Sequence, residues 1–409
     1  MYARSGGCSP DGAHCESGKA GNRLEGTFVR RLTLANFRNY ASLRLDLPEN
    51  APCIVLTGQN GTGKTNLLEA VSFLAPGKGV RNARFSDVTR KSADQGVVSF
   101  PWAVAAVLSN GGGEETEIGT GLRFLSGRTE KRTILINGEV RKSQADLGRV
   151  CSAVWLTPAM DRLFSGDPAG RRRFWDRLTQ AFFAEHAGNC AAYAQALKQW
   201  GRLLREGTRD TDWLSALEAT LGKYGAKIAG ARRETLEKLR AELEVPASGF
   251  PRAVLSLSGG GEDVLSVLSE ADAADRIRER FRSSRKTYAE GGLAGGVHTV
   301  DPSAVHREKN QAAALCSTGE QKALLVSVLL AHLRAQAKQT GTLPLLLLDE
   351  VTAHLDEKRR HSLFEETAAL KTQVWMTGTE PRAFEGLEKT AHFVAVERLV
   401  KASPVSAAS

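Results

Sequence analysis

The chain has 409 residues, of which 42% are hydrophobic and 25% charged, and its net charge is +9 at pH 7. This length and mixture predict one large globular domain or two ordinary ones, and the longest apolar stretch, around residues 345–348, is too short for a membrane span. The basic balance allows nucleic acid or an anionic membrane as a partner without selecting either. The six cysteines form no C-x-x-C pair, which argues against a zinc or redox motif and favours a reducing cytoplasm.

The two ends of the chain differ in composition from the rest. Residues 1–26 are rich in glycine, serine and small polar residues and lack the apolar core of a signal peptide, so we predict a disordered tail or an over-long start. Residues 401–409 are predicted to be a second loose end.

Residues 28–57 have the pattern of strands that lead into a glycine-rich loop. The leucines at 43, 45 and 47 alternate with polar residues, and "CIVLT" (53–57) is a short, wholly apolar strand. The octapeptide "GQNGTGKT" (58–65) follows, and a helix is predicted to begin near Lys64.

This octapeptide has the G-x-x-x-x-G-K-T form of a phosphate-binding loop, in the strand–loop–helix context that such a loop needs. Glycines let the backbone wrap tightly enough to aim its N–H groups at phosphate oxygens, and the helix adds its positive dipole end. Lys64 would reach the β- and γ-phosphates of ATP, and the Thr65 hydroxyl would ligate Mg²⁺. The predicted nucleotide-binding residues of the loop are Gly58, Gln59, Asn60, Gly61, Thr62, Gly63, Lys64 and Thr65.

The middle of the chain is predicted to change from strands to helices. Residues 97–150 look β-rich, with a hairpin turn at Asn137-Gly138. Leucines recur at three- and four-residue steps from about 161 to 245, as on one face of a helix. We therefore predict a helical arm over 161–295, inserted between two parts of one domain, 27–160 and 296–400. The arm is too short for the long heptad rods of a structural SMC-type cohesion subunit.

The segment "STGEQ" (317–321) precedes a strongly apolar helix. Ser317 and Glu320 have the S-x-x-E spacing of a capping box, but a glycine in the first turn weakens a helix. Gly319 would let another group approach the backbone closely, and we predict that this group is a phosphate held by a second subunit. The two interpretations are compatible, because a capped helix start is also an anion site. The predicted nucleotide contacts here are Ser317, Gly319, Glu320 and Gln321.

The segment "LLLLDE" predicts a buried parallel strand that ends in two acids. Asp349 would lie on the rim where open α/β sheets bind ligands and would hold Mg²⁺, and Glu350 would polarise the water that attacks the γ-phosphate. The alternative is an ordinary strand end with two solvated acids, but the upstream loop argues against it.

The order of these segments predicts the fold. A phosphate loop, a long insertion, "STGEQ", "LLLLDE" and then "AHLD" (353–356) is the layout of an ABC-type ATPase, in which nucleotide is sandwiched between two subunits. We predict an α/β fold, an ABC-type ATPase head with mixed β-sheet layers and an inserted α-helical arm; that the head is SMC-like is implied only by the family resemblance given below.

The sequence resembles the RecF family of bacterial DNA-repair proteins over roughly residues 28–398. The resemblance rests on "LTLANFRNY" (32–40), "VWLTPAMDRLFSGDPAGRRRFWD" (154–176), "STGEQK" (317–322) and "LLLLDEVTAHLDEKRR" (345–360). Thr287-Tyr288 and "GVHTVD" (296–301) are similar to a diverged form of the family's T-Y…G-P-H…D segment. The family's G-P-H is not intact, because Val297 stands at the place of the proline.

The resemblance implies an ATP-dependent homodimer that binds single- and double-stranded DNA at gapped junctions. It implies that ATP hydrolysis is slow and stimulated by DNA, and that the protein has no membrane partner. It also implies that the protein helps RecO and RecR proteins to load RecA. It also places Arg38 near the nucleotide and Asp356 near the dimer contact, although Arg38 could instead be a surface residue on a turn. No residue is assigned as the Q-loop glutamine, and Thr377-Gly378-Thr379 stands at the place of the switch histidine.

DNA contacts are predicted from two basic stretches. Arg171, Arg172 and Arg173 lie beside aromatic residues, and Lys198 and Arg202 follow on a helix. A groove lined by these basic residues would neutralise DNA phosphates without recognising a particular base sequence. A solvated basic helix face is the alternative. The rival function is the nucleotide-binding subunit of an ABC transporter, although its signature helix would follow the phosphate loop much sooner.

Overall fold

The computed structural model describes residues 25–49, 51–90, 101–110, 113–125, 129–208, 210–245, 249–259, 269–292 and 294–402. Apart from Glu25, Gly26, Lys401 and Ala402, the two predicted tails lie outside the described residues, as do residues 97–100 of the β-rich region and parts of the loops predicted at 258–261 and 291–296. Within the described ranges, no helix combines the length and the apolar character needed to cross a membrane.

Strands are present on both sides of the predicted helical arm. In chain order they are β1 (Glu25–Phe37), β2 (Tyr40–Asp46), β3 (Cys53–Thr57), β4 (Ala103–Asn110), β5 (Glu115–Leu125), β6 (Thr129–Ile136), β7 (Glu139–Arg141), β8 (Ala153–Leu156), β9 (Ala253–Ser258), β10 (Asp301–His306), β11 (Gln311–Ala312), β12 (Thr342–Leu343), β13 (Leu345–Leu348), β14 (Val374–Gly378) and β15 (Ala391–Ala395).

Helices are present before, within and after the predicted arm. They are α1 (Lys64–Ser72), α2 (Phe85–Val88), α3 (Gln144–Val150), α4 (Pro168–Phe182), α5 (His186–Arg205), α6 (Thr211–Leu243), α7 (Glu270–Ser283), α8 (Arg285–Ala289), α9 (Thr318–Thr340), α10 (Glu357–Ala369) and α11 (Val396–Ala402). Asp167, Asp210 and Ser269 cap α4, α6 and α7, because each accepts a hydrogen bond from a backbone N–H of the first turn.

A parallel sheet joins the two ends of the chain. Its strand order is β15-β3-β14-β13-β8, and every pairing in it is parallel. All residues of β3, β13 and β14 are buried, as expected for strands covered on both faces. The carboxyl ends of β3, β13 and β14 therefore lie side by side, although β3 is far from the other two in sequence.

Two hydrophobic cores lie on opposite faces of this sheet. Leu346 and Leu348 face a core shared with α9 and α6, whereas Leu345 and Leu347 face a core shared with α1 and the antiparallel strands. This alternation follows from the two-residue period of a strand. The four leucines therefore fix β13 between the two layers.

The antiparallel sheet supplies the outer layer on the α1 side. β1 pairs with β2 and β4, and the ladder continues through β5 and β6 to β7, while β12 pairs with the start of β1. Asn137 and Gly138 both have positive φ, 51° and 79°, and join β6 to β7. The predicted hairpin is thus confirmed, because a two-residue turn with both φ positive matches the twist of the strands.

The predicted arm is mostly helical, as expected, but it also contains a strand. α5, α6 and α7 pack around the buried Trp200, Leu221 and Phe281. β9 lies inside the predicted arm and pairs antiparallel with β10, which lies beyond its predicted end at 295. The division into segments stays a prediction, but a boundary at 295 would cut this third sheet, whose order is β11-β10-β9.

Candidate nucleotide-binding site

The phosphate loop connects β3 to α1 with the backbone shape that its glycines allow. Gly58, Gly61 and Gly63 all have positive φ, the region that favours glycine. At Gly63 there is also no room for a side chain, since a Cβ would lie 2.5 Å from Asn39 Nδ2 and 2.6 Å from Tyr40 Oη. The Tyr40 hydroxyl donates a hydrogen bond to the Gly63 carbonyl at 3.1 Å. β2 therefore braces the loop from behind.

Lys64 lies inside the loop rather than in solvent. Its Nζ donates to the carbonyl oxygens of Gly58, at 2.6 Å, and Gln59, at 2.8 Å. Burial lowers the pKa of Lys64, while the nearby carboxylates of Glu350, Asp349 and Glu397 oppose this effect. An ammonium held among carbonyl oxygens at the mouth of the loop is placed to bind a phosphate oxygen.

Thr65 and Asp349 meet across a separation of 284 residues. The Thr65 Oγ1 is 3.0 Å from Asp349 Oδ1 and 3.1 Å from Oδ2, and Asp349 is 4% exposed. Thr377, at the end of β14, donates a third hydrogen bond to Asp349 Oδ1 at 2.7 Å. Hydroxyl and carboxylate oxygens are the ligands that Mg²⁺ prefers. The predicted metal pair is therefore brought together by the parallel sheet.

Glu350 follows Asp349 in a turn that few side chains adopt. Its φ is +48°, in the left-handed region, and its side chain is partly exposed. Its backbone N–H donates to Thr377 Oγ1 at 2.8 Å. Its carboxylate is one of the charges near Lys64 that oppose the fall in the pKa of that lysine.

The turn before α9 forms the predicted capping box. The Ser317 hydroxyl accepts from the Glu320 N–H, and the Glu320 carboxylate accepts from the Ser317 N–H at 2.9 Å. Glu320 also pairs with Lys309, and this partner and the Ser317 donors lower its pKa to about 2. Ser317 is exposed, although its N–H and its hydroxyl are both engaged with Glu320.

Two residues of this turn have side chains that are already engaged within the chain, and their predicted contact with a nucleotide stays a prediction. The Glu320 carboxylate is occupied by the capping box and by Lys309. The Gln321 side chain is buried and its Nε2 donates to the Cys316 carbonyl at 2.9 Å, so the amide points into the protein. A residue type typical of a motif does not reveal whether its side chain faces inward or outward.

The close neighbour of Gly319 also differs from the prediction. A Cβ at Gly319 would lie 2.8 Å from the backbone oxygen of His354, in the turn that follows Glu350. The close approach of the His354 oxygen within one chain is therefore enough to require glycine at this position. No phosphate from a second subunit is needed to explain it. Asp356 caps α10 through the Arg359 N–H at 2.8 Å, and Arg359 comes within 3.7 Å of the same Cβ position. The two turns therefore form one surface, on which Asp356 is exposed.

Arg38 lies beside α1 but is held by a carboxylate. Its guanidinium donates two hydrogen bonds to Glu69, at 2.7 and 2.8 Å, and one to the Asp87 carbonyl. Glu69 is fully buried and also accepts from Arg81 at 2.9 Å. The neighbouring Asn39 contacts the Thr62 carbonyl, so Arg38 is near the loop. Its contact with a nucleotide stays a prediction.

Sequence reasoning missed two residues that touch this site. The Glu397 carboxylate, at the start of α11, accepts a hydrogen bond from the Gln59 N–H at 2.9 Å. Thr377 was noted at the place of a switch histidine but was given no role. Thr377 lies in the last residues of β14 and Glu397 lies just after β15, and both strands flank β3, so the rule that parallel strands end at one edge could have pointed to them.

The predicted DNA-contacting residues separate into two groups. Arg171 is bound bidentately by Asp301, at 2.7 and 2.8 Å, and also donates to backbone carbonyls, while Arg172 lies against the Val300 carbonyl. The donors of Arg171 already hold α4 against β10, and DNA contacts by Arg171 and Arg172 stay predictions. Arg173, Lys198 and Arg202 are exposed, and the predicted DNA contact rests on these three.

The whole chain has close relatives among known proteins. The family model described as RecF/RecN/SMC N terminal domain matches residues 28–401. The DNA replication and repair protein RecF of Mesorhizobium japonicum is 42% identical over 374 residues, which cover 91% of this chain and 96% of that protein. The protein of the same name from Brucella suis biovar 1 is 42% identical over 368 residues, with 89% and 93% covered.

Solved structures confirm the predicted fold. A structure of the recombination mediator protein RecF-ATPrS in the RecFOR pathway superimposes with a TM-score of 0.77 at 21% identity, over 92% of this chain and 98% of that one. A structure of RecF-ATP gives a TM-score of 0.71, also at 21% identity, over 91% and 98%. The fold is that of an SMC-like, ABC-type ATPase head.

Proposed function

This chain belongs to the RecF family, within the RecF/RecN/SMC N-terminal domain proteins, and we propose that it is an ATP-dependent DNA-binding protein of DNA replication and recombinational repair. The observation that carries the proposal is the contact between Thr65 and Asp349 at 3.0 Å. It joins the phosphate loop to the acidic strand end, the two parts of a phosphoryl-transfer site. The transporter alternative is not favoured, because the close relatives over almost the whole chain are DNA replication and repair proteins.

In the proposed mechanism the loop binds the triphosphate of ATP. The backbone N–H groups of residues 58–65 and the Lys64 ammonium cradle its oxygens. Glu350 accepts the proton of the attacking water, and Asp349 orients the Thr65 hydroxyl. Mg²⁺ held by Thr65 and Asp349 would neutralise charge between the β- and γ-phosphates. We expect hydrolysis to be slow and stimulated by DNA, as the resemblance to the family implies.

We further propose that two copies close on ATP. Ser317 and the surface next to Gly319 are exposed beside the turn that carries Asp356, so one flat patch could cover a nucleotide bound to a second copy. ATP would then favour the dimer, and hydrolysis would release it. We propose that the dimer binds gapped DNA in the cytoplasm and acts with RecO and RecR proteins to load RecA.

Sedimentation with and without ATP and gapped duplex DNA tests this proposal. We expect the wild type to form an ATP-dependent dimer that DNA stabilises. Lys64→Ala should abolish nucleotide binding, because the loop loses its cation. Ser317→Arg should bind ATP and stay monomeric, because the bulky cation blocks the shared surface.

The same measurement on Glu350→Gln completes the set. This variant should trap the dimer on DNA, because it binds ATP but lacks the base. A Ser317→Arg chain that dimerises normally would rule out the shared site, and a monomer that hydrolyses ATP at the wild-type rate would do the same.

A further inference from the structure

Lys322 is a buried lysine that connects the signature turn, residues 317–321, to the turn after Glu350. It lies one residue beyond the signature turn on α9 and is fully buried. Its Nζ donates to the backbone oxygens of Glu350, at 3.0 Å, and Ala353, at 2.8 Å. A third acceptor, the Asp161 carboxylate, lies 3.5 Å away. An ammonium is kept in such a place only when its donors are satisfied, and here two of the partners belong to one turn.

These contacts hold the backbone of Glu350 from both sides. The N–H of Glu350 donates to Thr377 Oγ1 at 2.8 Å, and its carbonyl accepts from Lys322. Its φ of +48° is unfavourable for a residue with a side chain, so the surroundings must impose it. With both adjoining peptide groups fixed, the direction of the Cα–Cβ bond of Glu350 is fixed as well, which limits the positions that its carboxylate can reach.

The signature turn is pressed against the same segment. The Gly319 backbone approaches the His354 carbonyl so closely that a Cβ would come within 2.8 Å of it. A shift of the signature turn must therefore move either Lys322 or the turn from Glu350 to His354. Since both contacts lie within one chain, this coupling is present before any second copy arrives.

We propose that Lys322 is a positioning residue for Glu350, which it holds in the orientation needed for hydrolysis. The inference rests on the proposed function, in which Glu350 activates water. It adds that the signature turn and Glu350 move together. The signature turn would face a nucleotide bound to a second copy, and Glu350 would face the nucleotide bound to its own chain. Lys322 itself touches neither nucleotide.

The test compares Lys322→Met with the wild type in ATP binding, ATP-driven sedimentation and single-turnover hydrolysis of radiolabelled ATP. Methionine fills a similar volume without the ammonium. We expect the affinity for ATP to change by less than about twofold, and the hydrolysis rate to fall by at least about tenfold, as for a catalytic group displaced by a fraction of an ångström. Lys338→Met, on the exposed side of the same helix, is the matched control and should hydrolyse ATP at the wild-type rate.

A double variant separates positioning from a general structural role. If Lys322 acts through Glu350, then Lys322→Met should cause no further loss in the Glu350→Gln background, because the group that it positions is already absent. An equal fold-loss in both backgrounds, hydrolysis within about twofold of wild type, or loss of ATP binding would each overturn the proposal.

Folding and the proposed function are checked separately. Should Lys322→Met fail to fold by circular dichroism, Lys322→Leu, which also removes the N–H donors, takes its place with the same expectations. A wild type that hydrolyses ATP without dimerising would refute the dimer proposed above and leave the effect of Lys322 on hydrolysis measurable. A wild type with no hydrolysis in a single turnover would refute both.

Discussion

At the scale of single residues, the site depends on partners that no local pattern contains. Asp349 accepts hydrogen bonds from Thr65 and Thr377, which belong to two other segments of the chain. The residue types of the loop and of the acidic pair were predictable, because their chemistry requires them in a fixed order. Their mutual contacts were not, because they depend on which strands become neighbours.

Replacing Asp349 by asparagine tests the metal role of this residue. The amide keeps the shape and one acceptor oxygen but removes the charge that attracts Mg²⁺. We expect hydrolysis to fall by about a hundredfold and the dependence of ATP affinity on Mg²⁺ to weaken. Titration of Mg²⁺ against bound nucleotide and against hydrolysis measures both. An unchanged Mg²⁺ requirement would remove Asp349 from the metal site.

Glu397 offers a second test at this scale. Its carboxylate binds the Gln59 N–H, next to the place proposed for the negatively charged triphosphate. Glu397→Gln keeps an acceptor oxygen and removes one negative charge, so ATP should bind about threefold more tightly at low salt, and the gain should shrink as salt screens the charge. Glu388→Gln is the control for a change of net charge. Weaker binding by Glu397→Gln would show that the charge itself holds the loop.

At the scale of elements, α9 is both the support of the signature turn and the centre of one core. Its residue His332 is 1% exposed and packs edge-on against Phe182. The Nε2 of His332 lies 3.0 Å from the Leu178 carbonyl. Burial lowers the pKa of His332 to about 4, and burial does the same for His298 beside Tyr193. Both histidines are therefore neutral in the folded protein at neutral pH.

These histidines make the free energy of unfolding depend on pH. Between pH 6.5 and 4 the unfolded chain binds their protons and the folded chain does not, so stability falls as the pH falls through this range. From pH 7 to pH 5 each histidine should cost about 2 kcal/mol. In His332→Gln, which keeps a hydrogen-bond donor for the Leu178 carbonyl, only His298 of the two still titrates. The loss of stability that the two histidines cause between pH 7 and pH 5 should therefore be about half of the wild-type loss. Urea unfolding at both pH values measures this, and an equally steep loss would contradict it.

The elements also show where periodicity stops being informative. The alternation in β2, the apolar run of β13 and the stripes of α6 come from burial that repeats locally, so the sequence predicts them. β9 escaped prediction because its partner β10 lies beyond a helical stretch, and the pairing is set by tertiary contacts. For the same reason, the ion pair of Arg171 with Asp301, 130 residues apart, could not be distinguished from a DNA contact.

At the scale of the whole molecule, the charge of +9 is the feature that bears on DNA. If Arg173, Lys198 and Arg202 each contact a phosphate, changing all three to glutamine should weaken DNA binding and reduce the slope of log affinity against log salt by up to about 0.9 for each contact. Exposed basic residues elsewhere, Arg44, Lys371 and Lys389, form a matched triple control. Equal slopes for the two triple variants would place the DNA surface elsewhere.

The strand order has one more consequence, for synthesis of the protein. β3, which leads into the phosphate loop, lies between β14 and β15, so both of its neighbours come from the last part of the chain. A nascent chain still attached to the ribosome has the loop but not the strands that hold it in place. The head can therefore complete its folding only after β14 and β15 have been synthesised, long after the phosphate loop itself.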